Sequence, residues 1–132
     1  MNQKLEMNAS QNKKIKFEEL GLKNYLEAFE YQQSLMDEII ALKIKNRDHE
    51  EAEPEITPNY LLFVEHPHVY TLGKSGDEHN MLANADKLKE INATFVKTNR
   101  GGDITYHGFG QIVGYPILDL DNFGNIANCY IF

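Results

Sequence analysis

The longest periodic pattern of apolar residues in this sequence lies between Asn24 and Lys45. Apolar side chains recur there about every 3.6 residues, as expected for an amphipathic helix. Asn24 is a typical N-cap residue, and Glu27 three positions later strengthens the start signal. The pattern therefore predicts one long helix whose apolar face packs in the core. That face comprises Tyr25, Leu26, Phe29, Met36, Ile39, Ile40 and Ile44.

Shorter apolar or alternating runs predict strands along the rest of the chain. Pro116 falls inside the last run, which indicates an edge strand or a bulged one. Because strands and helices do not alternate regularly, the pattern favours an α+β fold with a mixed, mainly antiparallel sheet and flanking helices. The predicted strands are residues 15–20, 60–64, 69–72, 94–97, 104–107 and 112–118, and residues 85–91 are predicted to form a short helix or turn.

The length of 132 residues fits one domain. Residues 1–14 are polar and show no periodicity, which predicts a flexible tail. Residues 15–121 contain all the predicted elements and form the predicted domain. Residues 122–132 carry no charge, and we interpret them as a second tail.

The formal net charge of −7 is concentrated in one place. Five acidic residues and no Lys or Arg lie in the stretch 48–55, which leaves −2 for the rest of the chain. The sequence lacks the basic excess of a nucleic-acid-binding protein. A local basic patch stays possible, with Lys74, Lys97 and Arg100 as its candidates.

Three features predict a soluble, cytoplasmic protein with no membrane partner. The polar start carries no signal peptide, and no apolar run approaches the roughly 18–20 residues of a membrane span. The single cysteine excludes an internal disulfide framework. That residue, Cys129, has no cationic neighbour to lower its pKa, so we interpret it as a structural or incidental cysteine.

The segment 99–114 is the densest candidate for chemistry, since it holds five of the nine glycines. The guanidinium of Arg100 can bind an anion with its planar fork. Gly101 and Gly102 allow backbone N–H groups to approach a ligand closely. The alternative is a glycine-rich hairpin that carries a surface arginine and histidine.

Strand alternation divides the residues that follow into two faces. Thr105 and His107 share a polar face, which is the candidate ligand face. Ile104 and Tyr106 share the other, which we expect to be apolar and to face the core.

The segment 65–74 holds a second candidate cluster. His66 and His68 would share a face if they lay on one strand, and with His107 they would form a three-histidine zinc site. The alternative is that His66, which precedes a proline, lies in a turn at the end of a strand. Lys74 follows Gly73 and is either a ligand to an anion or an ordinary solvated lysine.

Two segments together resemble the lipoyl(octanoyl) transferase family. They are RGGDITYHGFGQIVGYPILDL, residues 100–120, and LLFVEHPHVYTLGKSG, residues 61–76. The resemblance extends over about residues 21–120. It implies the mixed-sheet fold of the biotin and lipoate protein ligase catalytic domain. The acyl pocket that it implies is lined by Arg100, Gly101, Gly102, Asp103, Ile104, Thr105, Tyr106 and His107.

The resemblance also implies the reaction. Members of this family move an octanoyl group from acyl carrier protein to a lysine of a lipoyl domain, through a cysteine thioester and without a cofactor. The implied partners are octanoyl-acyl carrier protein and the lipoyl domains of 2-oxoacid dehydrogenases or the glycine cleavage H protein.

The sequence departs from the family pattern in three ways. Phe109 replaces a proline in the turn after His107. The Pro-Cys-Gly segment that carries the nucleophile does not occur, and Cys129 lacks those flanks. The catalytic lysine belongs to the same downstream part, so Lys74 and Lys97 do not inherit its role. We therefore expect no catalytic residue in this chain, and an incomplete domain ended early by truncation or a frameshift.

Three alternatives to a transferase stay open. A non-catalytic acyl- or lipoyl-binding module would keep the pocket without the nucleophile. A zinc enzyme would use His66, His68 and His107. A ligase that activates lipoate with ATP would differ from a transferase in its need for ATP.

Overall fold

The computed structural model describes residues 11–48, 53–81 and 84–124. The described residues form six strands, two α-helices and two short 3₁₀ helices. The strands are β1 (Lys16–Leu22), β2 (Tyr60–Glu65), β3 (Val69–Leu72), β4 (Thr94–Lys97), β5 (Ile104–His107) and β6 (Ile112–Ile117). The α-helices are α1 (Tyr25–Asp48) and α2 (Ala85–Glu90), and the 3₁₀ helices are Glu78–Asn80 and Leu120–Phe123. The predicted α+β class is confirmed.

Helix α1 begins where the capping signal predicts. The side-chain oxygen of Asn24 accepts a hydrogen bond from the backbone N–H of Leu26 at 2.9 Å, which satisfies one free donor of the first turn. The helix ends at Asp48, three residues beyond the predicted end. Lys45 and Arg47 lie in its last turn, where the helix dipole favours cations.

The prediction that the whole apolar face of α1 packs in the core is wrong. The buried residues of the helix are Ala28, Leu35 and Ile39. They form one narrow line at spacings of seven and four residues, and the apolar side chains beside that line reach solvent. The exposed ones are Leu26, Phe29, Met36, Ile40 and Ile44.

The strands form two three-stranded sheets. One has the order β1-β2-β6, so β6 with its Pro116 is an edge strand, as predicted. The other has the order β4-β3-β5, in which β3 runs parallel to β4 and antiparallel to β5. Because β5 and β6 belong to different sheets, the alternative of a glycine-rich hairpin in the segment 99–114 is wrong.

Contacts within the chain divide it into two compact units. The first contains the described residues of the ranges 1–19, 29–63 and 114–132. The second contains those of 20–28 and 64–113. In the first unit Leu62 and Ile39 are among the most deeply buried apolar side chains, and Val64 and Val69 are in the second.

A buried polar network ties the ends of the first unit together. Lys43 Nζ lies 2.7 Å from both Asp119 Oδ1 and Asp121 Oδ2. Thr57 Oγ1 donates to the other oxygen of Asp119 at 2.7 Å. The side-chain amide of Asn122 donates to Thr57 Oγ1 at 3.0 Å. Asp119 and Asn122 are buried, and none of their buried side-chain nitrogen or oxygen atoms lacks a hydrogen-bond partner.

Parts of both predicted tails join this network. The backbone N–H of Asn12 donates to the side-chain oxygen of Asn122 at 3.0 Å, and Gln11 donates to the backbone of Asp121 at 2.9 Å. These two residues belong to the predicted tail 1–14, of which residues 1–10 lie outside the described residues. Asn122 belongs to the predicted tail 122–132, of which residues 125–132 lie outside them as well.

No helix in the described part of the chain is long and apolar enough to cross a bilayer.

Candidate functional site

The two segments singled out in the sequence lie side by side in the second unit. The first segment contains strand β3 and the second contains strand β5, and the two strands pair with Val69 opposite His107 and Thr71 opposite Thr105. Residues directly opposite each other in an antiparallel pair share a face. The half-buried side chains of Thr105 and His107 therefore share a face with Val69 and Thr71, which are 1% and 0% exposed.

Aromatic side chains cover the other face of this strand pair. The rings of Tyr70 and Tyr106 lie 5.0 Å apart. The Tyr106 hydroxyl forms a hydrogen bond with Nδ1 of His68, and the Phe109 ring meets the His68 ring edge-on at 4.9 Å. Tyr106 is 37% exposed, so the prediction that it faces the core is wrong. Its partners are other surface rings, and the polar tip of tyrosine favours such a half-wet position.

Gly108 allows this aromatic cluster to close. A Cβ atom there would lie 2.1 Å from the Tyr106 hydroxyl oxygen. Phe109 is 57% exposed. The turn that follows is held by the backbone N–H of Gly110, which donates to the Glu65 carboxylate at 2.8 Å.

A fully buried histidine lies beside the ligand face. His66 is 0% exposed, and its Nδ1 lies 2.7 Å from the backbone carbonyl oxygen of Lys23. Because a carbonyl oxygen only accepts, Nδ1 carries the hydrogen. The His66 ring lies 5.4 Å from the ring of Tyr25 and 5.9 Å from that of His107. Residues 66–68 lie between β2 and β3, so the predicted turn for His66 is confirmed.

His107 and Tyr25 favour their neutral forms. Burial lowers the pKa of His107, and the nearby His66 and Arg100 lower it further, while a hydrogen bond with Gln111 opposes them. Burial raises the pKa of the Tyr25 hydroxyl, against the effect of Arg100. At neutral pH the His107 imidazole and the Tyr25 phenol are therefore uncharged. Such groups bind polar uncharged atoms, for example a carbonyl, next to apolar surface.

The glycine-rich loop 100–103 lies against the turn that follows β3. The backbone N–H of Gly73 donates to the carbonyl oxygen of Asp103 at 3.0 Å, and that of Lys74 donates to the carbonyl oxygen of Arg100 at 2.9 Å. Gly102 has a φ of 95°, a left-handed conformation that favours glycine. The guanidinium of Arg100 donates to protein oxygens rather than standing open to an anion.

The predicted basic patch is not assembled as three open cations. Lys97 forms an ion pair with Glu78, and both side chains are largely exposed. The Arg100 guanidinium donates to oxygen atoms of the protein. Lys74 is exposed. Such exposed pairs contribute little to stability and are screened by salt.

The structure does not bring His66, His68 and His107 together as one ligand set. The rings of His66 and His107 are neighbours, whereas His68 bonds to Tyr106 in the aromatic cluster. In residues 11–48, 53–81 and 84–124 no group of three or more His, Cys, Asp or Glu side chains is placed to hold a metal ion. Cys129 lies outside the described residues.

Two residues of the site carried no signal of function in the sequence. Tyr25 occupies a periodic apolar position of α1, where it reads as a core residue. Thr71 lies in a short strand whose pattern indicates burial alone. The sequence offered one hint: both side chains carry a hydroxyl group at positions where the pattern predicts burial, and a buried hydroxyl needs a hydrogen-bond partner.

Comparison with known proteins points to a single family. Residues 24–131 match the family described as the lipoyl protein ligase A/B catalytic domain. A protein of Christiangramia forsetii is 62% identical over 120 residues, which cover 91% of this chain and 50% of that protein. One of Flavobacterium johnsoniae is 62% identical over 120 residues, which cover 91% and 51%.

A third relative, from Cytophaga hutchinsonii, is 50% identical over 125 residues, which cover 95% of this chain and 51% of that protein. All three relatives carry the name octanoyltransferase. The chain spans about half the length of the curated relatives that it matches.

Proposed function

The chain belongs to the lipoyl protein ligase A/B catalytic-domain family, and from this we propose that it acts in protein lipoylation by binding an octanoyl group for transfer. The proposed donor is octanoyl-acyl carrier protein. The proposed acceptor is a lysine of a lipoyl domain, in 2-oxoacid dehydrogenases or in the glycine cleavage H protein. The name octanoyltransferase, which the relatives carry, supports this proposal.

The pairing of β3 with β5 is the observation that carries the proposal. It joins residues 69–72 to residues 104–107, so one strand from each of the two segments that carry the family resemblance lies beside the other. The proposed substrate-binding residues are those implied by the resemblance: Arg100, Gly101, Gly102, Asp103, Ile104, Thr105, Tyr106 and His107.

The chemistry of the ligand face suits a neutral acyl thioester. Val69 is a buried apolar side chain on that face, and the acyl chain is apolar. The lowered pKa of His107 keeps its imidazole neutral at pH 7, and its ring N–H can donate one hydrogen bond to the thioester carbonyl oxygen. An ionised group at the same position would have to lose its hydration when the acyl chain binds.

Transfer itself requires a nucleophile. In the family reaction a cysteine thiolate attacks the thioester carbonyl, the carrier thiol leaves, and the lysine amine then displaces the cysteine. These 132 residues contain one cysteine, Cys129, and no Pro-Cys-Gly segment. Because the chain spans about half the length of its relatives, the second candidate function is proposed for these residues by themselves: the site binds the acyl or lipoyl group without transferring it.

One experiment separates these functions. The chain is incubated with octanoyl-acyl carrier protein and a lipoyl domain in the absence of ATP, and the lipoyl domain is analysed by mass spectrometry. An octanoylated lysine supports transfer. Saturable binding of the octanoyl carrier without modification of the lipoyl domain supports the second function. If neither binding nor transfer occurs, both proposals fail. Carrier protein without the octanoyl group is the control for binding.

A further inference from the structure

Both terminal nitrogens of the Arg100 guanidinium donate hydrogen bonds to acceptors of the protein itself. Nη1 donates to the carbonyl oxygen of Gly101 at 2.8 Å. Nη2 lies 3.0 Å from the carbonyl oxygen of Thr71 and 2.7 Å from its Oγ1. Nη2 also lies 3.1 Å from the carbonyl oxygen of Asp103. All four acceptors are uncharged, so these bonds fix the position and plane of the guanidinium without neutralising its charge.

These acceptors belong to two different segments. Thr71 lies in β3, the central strand of its sheet, and is 0% exposed. Gly101 and Asp103 lie in the exposed loop 100–103. Arg100 therefore bridges a buried strand and an exposed loop. A planar side chain with several donors in fixed directions is suited to this role, whereas a single ammonium group is not.

A second set of bonds holds the same loop to residues 73–77. The loop and residue 73 are so close that no side chain fits at Gly73. A Cβ atom there would lie 2.2 Å from the Gly102 carbonyl oxygen. The bonds are Gly73 N to Asp103 O at 3.0 Å, Lys74 N to Arg100 O at 2.9 Å, Ser75 Oγ to Gly102 O at 3.1 Å and Asp77 N to Asp103 Oδ1 at 3.2 Å.

One side of the loop stays open. No atom of the described residues lies within 4 Å of the position that a Cβ of Gly101 would occupy, beyond its neighbours in the chain. The loop is thus fixed on the side that faces β3 and residues 73–77, and it is open at Gly101. Fixing a glycine backbone in advance lowers the entropy cost of binding a ligand against it.

We propose that Arg100 is a positioning residue of the acyl site, which holds loop 100–103 against β3, and that it does not bind an anionic group of the substrate. The role rests on the proposed function, because the loop matters only if the site binds an acyl group. The inference replaces the sequence-based expectation that the guanidinium binds an anion.

Two substitutions distinguish positioning from anion binding. Arg100→Lys keeps the positive charge but cannot bridge acceptors on both segments. Arg100→Gln removes the charge. If the charge binds an anion, the lysine variant retains function, whereas a positioning role predicts that both variants lose it. Lys97→Gln is the matched control, since it removes an exposed cation from the neighbouring strand β4.

The first measurement is hydrogen exchange of the free protein by NMR. We expect the amides of Gly73 and Lys74, which bond to the loop, to exchange at least about tenfold faster in both Arg100 variants and unchanged in the control. The amides of Leu62 and Val64 in β2 show whether the remaining fold persists. Unchanged exchange of Gly73 and Lys74 in Arg100→Gln would overturn the proposal.

The second measurement is the affinity for octanoyl-pantetheine, an uncharged thioester. Because this probe has no anionic group, a direct ion pair cannot contribute to its binding. We expect its Kd to rise by about tenfold or more in both Arg100 variants. A Kd within about twofold of the unchanged protein's in either variant would overturn the proposal. If the unchanged protein does not bind the probe, the proposed function fails, while the exchange rates still decide whether Arg100 holds the loop.

Discussion

Gly73 and the carbonyl oxygen of Gly102 are so close that a Cβ atom on Gly73 would lie 2.2 Å from that oxygen. The neighbouring bond from Gly73 N to the Asp103 carbonyl oxygen, 3.0 Å long, shows that the contact is an attractive backbone pairing. The absence of a side chain at residue 73 is therefore a condition for the site, because it lets loop 100–103 reach the end of β3.

Gly73→Ala should destabilise the protein. The new methyl group overlaps a backbone oxygen that cannot rotate away, so the loop must shift, and overpacking of this kind costs about 1–3 kcal/mol. Urea unfolding measures the change. Gly101→Ala is the control, since its Cβ meets no atom of the described residues within 4 Å, and we expect a change within about 0.5 kcal/mol. Equal losses in the two variants would contradict the account.

Much of the secondary structure could be predicted from the sequence because its signals are local. Strands β3, β4 and β5 begin and end at the predicted residues, since each is a short β-forming run with breakers nearby. Pairing could not be predicted, because alternation fixes which residues share a face and not which strand lies alongside. Residues 104–107 and 112–117 are adjacent in the chain but belong to different sheets.

His107 should titrate below the ordinary histidine pKa of 6.5 in the folded protein. Burial disfavours the imidazolium, and the neighbouring His66 and Arg100 disfavour it further. NMR titration of the His107 ring protons, with the urea-unfolded chain as reference, measures the difference. A folded-state pKa equal to or above the unfolded one would contradict the burial that defines the ligand face.

The same shift makes stability depend on pH. Between the lowered folded pKa of His107 and the unfolded value of 6.5, the unfolded chain binds more protons, so stability rises with pH in that window. The contribution is complete above pH 6.5 and falls as the pH drops towards the folded pKa. His107→Asn should flatten this part of the stability profile, and a profile that keeps its slope would show that another group is responsible.

Asp119→Asn should destabilise the first unit. The Asp119 side chain is 5% exposed and accepts from both Lys43 and Thr57. Losing a charge-assisted bond at a buried position costs about 1–3 kcal/mol. Asp121→Asn is the matched control, because Asp121 bonds the same lysine but is 71% exposed, and exposed pairs contribute about 0–1 kcal/mol. If urea unfolding shows equal losses of unfolding free energy in the two variants, burial is not what makes the Asp119 contact stabilising.

Acid should weaken the same contact. Burial alone raises the pKa of Asp119, but hydrogen bonds from Lys43, Thr57 and the backbone of Asp121 outweigh it, and the pKa lies below 3.8. For a lowered carboxyl pKa, the stabilisation is complete above 3.8 and is lost as the pH falls through the folded value. The difference between Asp119→Asn and the unchanged protein should therefore shrink in strong acid.

Tyr31 should ionise late in an alkaline titration. Its hydroxyl donates to Glu18 at 2.5 Å, and this bond, with burial and the nearby negative charge of Glu18, raises the pKa of Tyr31 to about 12. Its stabilisation is complete below the ordinary value of 10.0 and is lost as the pH rises through about 12. In tyrosinate absorbance, Glu18→Gln should move one transition towards 10.0, and Tyr31→Phe should remove it.

The candidate site was predictable only as a set of segments. The motif of residues 100–107 and the segment 61–76 were predicted to contribute to the site, because glycine, arginine and histidine are typical residues of binding loops. The role of Arg100 had no sequence signal, since three of its four acceptors are backbone carbonyls that any residue carries. The position of Tyr106 could not be predicted either, because its neighbours come from another strand and the turn before it. The β3–β5 register places Tyr70 opposite Tyr106, and His68 forms a hydrogen bond with the Tyr106 hydroxyl.

The measurement that tests the central claim most directly is a chemical-shift titration of the isotope-labelled chain with octanoyl-acyl carrier protein. The account predicts saturable shifts at the amides of residues 69–72 and 100–107 that are absent when the carrier lacks the octanoyl group. Identical shifts with both carriers, or shifts confined to residues outside β3, β5 and loop 100–103, would contradict the claim that this surface binds the acyl group.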